Sequence, residues 1–230
     1  MRITPASDSS LLVTLGDAVS VETHCRVISL FRALEQIHDR GIRNLHPAYV
    51  SLLIDFDPLS ITHQDLEIIV SSLNPEARST ETMPTDIVEI PVCYEPELAP
   101  DLANVAQQLR LTEDTVVALH LAGEYRVYFL GFSPGFAYMG GLSERLHVSR
   151  LETPRTHVKG GSVGLAGAQT GIYPTDSPGG WQLIGRTPLK MFDASRSRES
   201  LLRPGDRVQF KRITAAEFER IARNEERSND

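Results

Sequence analysis

Cysteines, tryptophans and long apolar runs are scarce in this 230-residue sequence. Its two cysteines, Cys25 and Cys93, are too few and too widely spaced for a zinc site. No apolar run reaches the roughly 18 residues that a membrane-spanning helix requires, and residues 1–10 lack the apolar core of a signal peptide. The sequence therefore predicts reduced thiols, no structural zinc, no membrane segment and a cytoplasmic location.

Clusters of positive charge and nucleotide-binding loops are also missing. The formal net charge is −7 and the lysines and arginines are scattered, which excludes the basic stripe of a nucleic-acid-binding protein and a polybasic membrane patch. Neither G-x-G-x-x-G nor G-x-x-x-x-G-K followed by Ser or Thr occurs. We therefore expect no nucleic acid and no membrane as partners, and we assign no cofactor to the chain itself.

The first eighty residues alternate strand-like runs with amphipathic helical patterns. Residues 11–15 are typical of a strand, and an apolar stripe predicts a helix from about Val21 to Asp39. Residues 49–56 form another β-rich run, and Thr62 with Asp65 is typical of a helix start. An order of strand, helix, strand, strand, helix, strand suits a small ferredoxin-like α/β domain.

The composition changes after this domain. Residues 74–85 contain two prolines and few apolar residues, which indicates a linker. Two helices are predicted next, at about Asp101–Arg110 and Glu113–Ala122. Short β-like runs then alternate with Gly and Pro, which predicts an all-β barrel or sandwich. These runs are residues 125–132, 162–167, 171–174, 181–185, 189–192 and 207–212. The tail from Thr214 is predicted to be a short helix that frays into charged residues.

An aromatic loop follows the first β-like run. Between Gly131 and Gly141, the side chains of Phe132, Phe136 and Tyr138 stand among glycine and proline. This composition stiffens a loop while it presents ring faces. Two interpretations stay open: the rings plug a tight corner of the barrel, or at least one of them lines a substrate pocket.

A glycine-rich segment extends from Pro154 to Tyr173. Arg155 offers a planar fork that matches a carboxylate, and Gln169 both donates and accepts, which suits the edge of an amide or lactam. Gly161 and Gly167 allow a close backbone approach and an anion-binding nest of N–H groups. The alternatives are that the glycines only form barrel corners and bulges, and that Arg155 is a structural ion-pair partner.

Residues 173–187 contain the single tryptophan and an arginine after a short strand. Trp181 is predicted to anchor a core, and Arg186 either contacts a ligand or pairs with an acid such as Asp176. The candidate site therefore has Arg155 and Gln169 as catalytic residues, a set of substrate-binding residues and no metal. The substrate-binding set is Phe132, Phe136, Tyr138, Gly161, Gly167, Tyr173 and Arg186.

Three of these strings make the sequence recognisable. GFSPGFAYMGGL, TPRTHVKGGSVGLAGAQTGIYP and SPGGWQLIGRTPL resemble the family of 5-oxoprolinase B subunits, which is also called the allophanate hydrolase subunit 1 or sporulation kinase inhibitor family. The resemblance implies an α+β protein with a small α/β domain and a cyclophilin-like β-barrel. On that basis we place the α/β domain at residues 1–80, the barrel at 86–213 and a charged tail at 214–230.

The resemblance also implies an activity and partners. Similar proteins pair with a related barrel subunit, the C-type component of 5-oxoprolinase, and with a third component of the A type. Together they hydrolyse the lactam 5-oxo-L-proline to L-glutamate with ATP, and we expect this chain alone to be inactive. The alternatives are a regulatory inhibitor of a sporulation-type sensor histidine kinase, and a carboxyltransferase or allophanate-type role in urea metabolism.

The sequence departs from the family pattern in two places. Lys159 and Gly160 stand where the family usually has proline and alanine, and Glu95-Pro96-Glu97-Leu98 replaces a glycine-rich turn. The first change adds a cation near the predicted pocket, and the second alters a loop that we expect to meet a partner.

Overall fold

The computed structural model describes residues 1–37, 41–73 and 87–227. The chain divides into two compact units, Met1–Thr85 and Asp86–Asp230. The linker predicted at residues 74–85 lies outside the described residues. Among the described residues, no helix is long and apolar enough to cross a lipid bilayer.

The first unit is a four-stranded antiparallel sheet with two helices. Its elements are β1 (Arg2–Ser7), β2 (Ser10–Thr14), α1 (Val21–Glu35), β3 (Ile42–Pro47), β4 (Ser51–Phe56) and α2 (His63–Ser72). The strands lie in the order β1-β2-β4-β3. Alternate residues of β2 and β4 are buried against the apolar faces of the helices, because successive strand side chains point to opposite faces of a sheet.

The helix starts of this unit follow the sequence signals. The side chain of Thr62 accepts from the Asp65 backbone N–H, and the Asp65 carboxylate accepts from the Thr62 backbone N–H, which is the reciprocal pattern of a capping box. The helix predicted to reach Asp39 ends earlier, at Glu35.

The order of elements in the first unit differs from the predicted one. The chain begins with two strands instead of one, because Arg2–Ser7 forms an edge strand beside β2. The sheet order keeps the arrangement of a ferredoxin-like sandwich, but its edge strand comes first along the chain instead of last. β1 is almost fully exposed, so it has no apolar alternation from which it could be predicted.

The second unit is a closed seven-stranded barrel, which confirms the predicted α+β fold with a β-barrel and decides between barrel and sandwich. Its strands are β5 (Ile87–Cys93), β6 (Tyr125–Leu130), β7 (Ala137–Gly140), β9 (Ser162–Ala166), β10 (Gln169–Ile172), β12 (Gln182–Arg186) and β13 (Arg207–Ile213). Neighbours are antiparallel except β5 and β13, which are parallel. The residues predicted as a strand at 189–192 form no strand, and only Phe192 makes an isolated bridge.

Three helices and a two-stranded ribbon surround the barrel. The helices are α3 (Leu102–Leu109), α4 (Glu113–Leu121) and α5 (Ala215–Arg227), and the ribbon pairs β8 (Arg155–Val158) with β11 (Ser177–Gly179). The main apolar core joins side chains of the barrel strands with side chains of α3 and α4. A smaller apolar cluster lies outside the barrel and includes residues of β9, β12 and the ribbon.

Candidate functional site

The outer face of the barrel carries an aromatic cluster built around Trp181. A Cβ on Gly164 would lie 2.9 Å from Trp181 Cβ, and one on Gly171 would lie 3.0 Å from the Trp181 ring. Since neither residue has a side chain, the indole packs directly on β9 and β10. The prediction that Trp181 anchors a core is confirmed, but this core lies outside the barrel.

Three predicted aromatic residues surround this tryptophan. The Phe136 and Tyr138 rings lie 5.5 and 6.0 Å from the Trp181 ring, and Phe136 also contacts Tyr173 edge-to-face at 5.3 Å. Arg150 lies over the indole, with its Cζ 5.8 Å from the ring centroid. The aromatics therefore form a cluster apart from the main apolar core, and this cluster is a wall on the outside of the barrel.

Phe132 extends this wall toward solvent. Its backbone has φ +67°, a left-handed conformation that is unusual for a residue with a bulky side chain. The side chain is 62% exposed, and its ring meets Phe136 and Tyr173 edge-to-face at 5.5 and 6.3 Å. Residues with such strained backbone conformations cluster at active sites and ligand-binding sites.

Tyr173 brings a buried phenol to the cluster. Burial raises the pKa of Tyr173, while a hydrogen bond from the Trp181 backbone N–H and the charges of Arg150 and Arg155 act in the opposite direction. The phenol therefore stays protonated at neutral pH and two cations face it.

Gln169 lies on the same outer face. Gln169 is paired with Ala166 across the β9–β10 hairpin, and side chains of directly paired residues project from the same side of a sheet. Ala166 belongs to the outer cluster, so Gln169 projects beside it. Gly167 forms the hairpin turn with φ +56°, and a Cβ there would meet nothing within 4 Å. This end of the wall is therefore open.

Arg155 is bound by an aspartate. Its Nη2 donates to Asp101 Oδ1 at 2.5 Å, and Asp101 Oδ2 accepts from the Leu183 backbone N–H at 2.6 Å. The Asp101 side chain is 8% exposed and that of Arg155 is 30% exposed. This contact matches the structural ion-pair alternative. However, Arg155 Nη1 is buried and has no hydrogen-bond partner among the described residues, so half of the planar fork still lacks an acceptor.

Gly161 and Arg186 lie elsewhere. Both line a cavity between the end of β12 and α5. The predicted nest of free N–H groups is not formed there, because Gly160 donates to Asp176 Oδ1 and Gly161 to the Tyr173 carbonyl. The pairing suggested between Arg186 and Asp176 is also wrong: Arg186 Nε donates to the Gly160 carbonyl instead.

Two residues of the outer face were missed by the sequence analysis. Asp101 precedes α3 and Arg150 follows a short 3-10 turn, so neither stands in a glycine-rich or aromatic string. Their roles depend on contacts with residues 54 and 31 positions further along the chain, and no local pattern predicts such contacts.

Comparison with known proteins places these features in a family. The profile described as "Carboxyltransferase domain, subdomain C and D" matches residues 1–202. The chain is 37% identical to the protein named as the B subunit of 5-oxoprolinase in Bacillus subtilis (strain 168), over 94% of this chain and 95% of the relative. It is 39% identical to the protein named in the same way in Haemophilus influenzae, over 91% and 97%.

A solved relative has the same fold within a longer chain. The crystal structure of TTHA0988 is 37% identical, with a TM-score of 0.81, over 90% of this chain. This chain spans 40% of the length of that one. The chain therefore belongs to the carboxyltransferase subdomain C and D family, and within it to the group of bacterial 5-oxoprolinase B subunits.

Proposed function

We propose that this chain is the B subunit of an ATP-dependent 5-oxoprolinase, which hydrolyses 5-oxo-L-proline to L-glutamate. The observation that carries the proposal is the identity of 37–39% to two proteins named as B subunits of 5-oxoprolinase. In each comparison the match covers nearly the full length of this chain and of the relative. A match of this extent covers both compact units and all three glycine-rich strings of the sequence.

The reaction explains the need for ATP. A five-membered lactam is unstrained and its amide carbon is a poor electrophile. Transfer of the terminal phosphoryl group of ATP to the lactam oxygen activates that carbon for addition of water. The C–N bond then breaks, the nitrogen takes a proton, and a second water hydrolyses the resulting acyl phosphate to glutamate and inorganic phosphate. Each step requires donors that stabilise developing negative charge on oxygen.

The outer face of the barrel supplies groups suited to the lactam. Aromatic rings offer flat apolar surface to a small ring, and the Gln169 amide matches both the C=O and the N–H of a lactam edge. Arg155 offers a fork for the substrate carboxylate, and Nη1 has no acceptor until one arrives. In this arrangement Asp101 is a positioning residue, because it accepts from Nη2 of the guanidinium and leaves Nη1 for the substrate.

The complete enzyme requires other subunits. We propose that a related barrel subunit of the C type and a third component of the A type join this chain, and that the complex uses ATP. Two observations support this: the described relatives are named as subunits, and the fold occurs as 40% of a longer solved chain. The chain itself has no nucleotide-binding loop motif.

Reconstitution tests the function. Purified chain alone is expected to release no glutamate from 5-oxo-L-proline, whereas the chain mixed with its two partner subunits releases it only with ATP. ATP-dependent glutamate release by the isolated chain contradicts the proposal that it works only in a complex. Failure of the reconstituted complex to release glutamate contradicts the 5-oxoprolinase assignment.

Arg155 variants test the site within that complex. Arg155→Ala and Arg155→Lys are both expected to lower kcat/KM about 30-fold to several thousand-fold, which corresponds to a loss of roughly 2–5 kcal/mol from a desolvated charge-assisted contact. Lysine fails because it lacks the planar fork. Arg145→Ala, at an exposed arginine of the 3-10 turn, is the control. Near-normal activity of both Arg155 variants in an assembled complex removes Arg155 from the site.

Carboxyl transfer is the second candidate, favoured by the description of the matched family as a carboxyltransferase domain. It predicts that activity needs a biotin-bearing partner and that 5-oxo-L-proline is not consumed. Biotin-dependent carboxylation of a small amide by the chain with such a partner, together with no glutamate release, would favour this candidate over the hydrolase.

A further inference from the structure

A cavity of about 330 Å³ lies between the barrel and α5. Phe218, Ala222 and Glu225 of α5 form one wall, and Arg186 with the loop after β12 forms the opposite one. The three α5 residues are spaced four and three positions apart, so they share one face of the helix. The volume falls within the range of small-molecule sites.

The charges around the cavity leave one cation without an acidic partner. Lys190 pairs with Asp193 at 3.0 Å, and Glu225 accepts from Arg196 at 2.9 Å. Arg186 lines the same cavity, and no described residue accepts from its Nη1 or Nη2. The charged residues that line the cavity are therefore two cations, Arg186 and Lys190, and one anion, Glu225, and this excess of positive charge favours an anion.

Arg186 is also held in place before any ligand binds. Its Nε donates to the Gly160 carbonyl at 2.9 Å, and its Cζ lies 5.7 Å from the centroid of the Phe218 ring. These contacts fix the guanidinium plane and leave the two terminal nitrogens, the pair that binds carboxylate or phosphate in a bidentate manner. A side chain that is already ordered loses less entropy on binding.

We propose that this cavity is a binding site for a small organic or inorganic oxyanion, whose carboxylate or phosphate group is held by Arg186. The apolar walls, which include Leu189, Phe218 and Ala222, suit a compact body beside the anionic group. The site is separate from the outer aromatic cluster, and it does not rest on the proposed hydrolase activity. Gly161 and Arg186 belong to this second site.

Binding to the isolated chain tests the proposal, since it needs neither partner subunits nor ATP. The probes are inorganic phosphate, L-glutamate and 5-oxo-L-proline, with uncharged 2-pyrrolidone and matched sodium chloride as controls. We expect a saturable rise in Tm and a calorimetric binding isotherm with at least one of the three anions. A response to phosphate alone identifies a phosphate group as the ligand, and a response to the other two identifies a carboxylate.

Variants locate the site. Arg186→Gln and Arg186→Lys are expected to weaken binding at least tenfold, whereas Arg145→Gln leaves it unchanged. Ala222→Phe fills the cavity without removing a charge, so it should abolish binding while Tm without ligand stays at or above that of the wild type. Binding that survives both Arg186→Gln and Ala222→Phe overturns the proposal, as does the absence of saturable binding for all three anions.

Discussion

Gly164 and Gly171 leave the outer surfaces of β9 and β10 bare where the Trp181 ring rests. A methyl group at either position would occupy space that now belongs to the indole or to Phe136. The glycine-rich string therefore serves packing at these two positions. Neither backbone has the left-handed φ that would require glycine, so the requirement comes from the space alone.

Gly164→Ala is expected to destabilise the protein by about 1–3 kcal/mol, the usual range for overpacking. The new Cβ lies 2.9 Å from Trp181 Cβ, so the indole must move, and the fluorescence of this single tryptophan reports the movement directly. Gly180→Ala is the control, because its nearest contact is an ordinary 3.5 Å to Pro154. An unchanged Tm and emission maximum in Gly164→Ala would show that Trp181 does not depend on the bare strand.

His120 forms a buried polar chain inside the barrel unit. Its Nδ1 lies 2.8 Å from the Tyr94 hydroxyl and its Nε2 lies 3.1 Å from Thr170 Oγ1. Because Thr170 donates its proton to the Gly164 carbonyl, Nε2–H donates to Thr170 and the Tyr94 O–H donates to Nδ1. The imidazole is therefore neutral, and burial lowers the pKa of His120 from 6.5 to about 3.

This histidine makes stability depend on pH. The unfolded state binds a proton below about pH 6.5 and the folded state binds it only near pH 3, so the free energy of unfolding falls as pH drops through that window. The slope approaches about 1.4 kcal/mol per pH unit well below pH 6.5, and the total loss between pH 6.5 and 4.5 is roughly 2.3 kcal/mol. Urea denaturation at pH 7.5, 6.5, 5.5 and 4.5 measures it.

His120→Gln is the matched variant for this test. Glutamine keeps a donor and an acceptor but does not titrate, so the variant should be less stable than wild type at pH 7.5 and the gap should shrink toward pH 4.5. Other groups with lowered pKa values, such as Asp193, affect both proteins equally. Parallel pH curves for the two proteins would contradict a neutral, buried His120.

At the level of secondary-structure elements, Asp101 connects α3, β12 and β8 through hydrogen bonds. It precedes α3, its backbone N–H donates to the Leu183 carbonyl in β12, and its carboxylate accepts from Leu183 and from Arg155 in β8. The barrel wall, a covering helix and the outer ribbon therefore meet at one buried carboxylate.

A double-mutant cycle with Asp101→Ala and Arg155→Ala separates the ion pair with Arg155 from the hydrogen bond that Asp101 accepts from Leu183. Asp101→Ala is expected to destabilise the chain by about 3–5 kcal/mol, because it leaves Arg155 and a backbone N–H without an acceptor. Arg155→Ala should be milder, since Leu183 still satisfies Asp101. Directly contacting pairs couple by roughly 0.5–3 kcal/mol, and chemical denaturation of the four proteins measures the coupling. Additive effects of the two substitutions would show that the ion pair contributes nothing to stability.

The elements that the sequence predicts well are those with local signals. α2 follows from its capping pair Thr62 and Asp65, and α4 from the Thr112 side chain, which accepts from Thr115 N–H as an N-cap. The edge strand β1 and the ribbon strands β8 and β11 were missed, because they are short, largely exposed and free of alternating burial. β1 pairs with its neighbour β2, whereas β8 and β11 pair across two intervening strands of the barrel, a pairing that a single sequence does not reveal.

In the candidate site, too, the features with local sequence signals were predicted, and those that depend on tertiary structure were not. The aromatic string and the glycine string were identified from composition, and the structure brings Phe136, Tyr138 and Tyr173 together. What the sequence did not reveal is which face of the barrel they occupy, and that Gly161 and Arg186 point to a separate cavity. Both depend on barrel register, where a shift of one residue moves every side chain to the opposite face.

For the molecule as a whole, we predict no prolyl isomerase activity in spite of the cyclophilin-like barrel. Function depends on the residues of the site and not on the fold. The indole of Trp181 covers the bare strip of β9 and β10. A standard proline-peptide assay should show only the uncatalysed rate, with relaxation over tens to hundreds of seconds at 25 °C. A rate near that of a true cyclophilin measured in parallel would refute this prediction.

The parallel pairing of β5 with β13 also sets when the barrel can form in the cell. Ile87 is paired with Arg207 and Cys93 with Ile213. The first strand of the unit therefore cannot complete its pairing until the last strand has been synthesised. Nascent chains grow at about 5–20 residues per second, and β5 lacks its β13 partner until residues 207–213 have been synthesised. Closure is therefore a late event that joins the first and last strands of the barrel, and such long-range pairing is slow. A message cut short before codon 207 yields a chain that lacks β13 and the packing of α4 against it, such as the stacking of His120 on Phe210, and its sheet has no means to close.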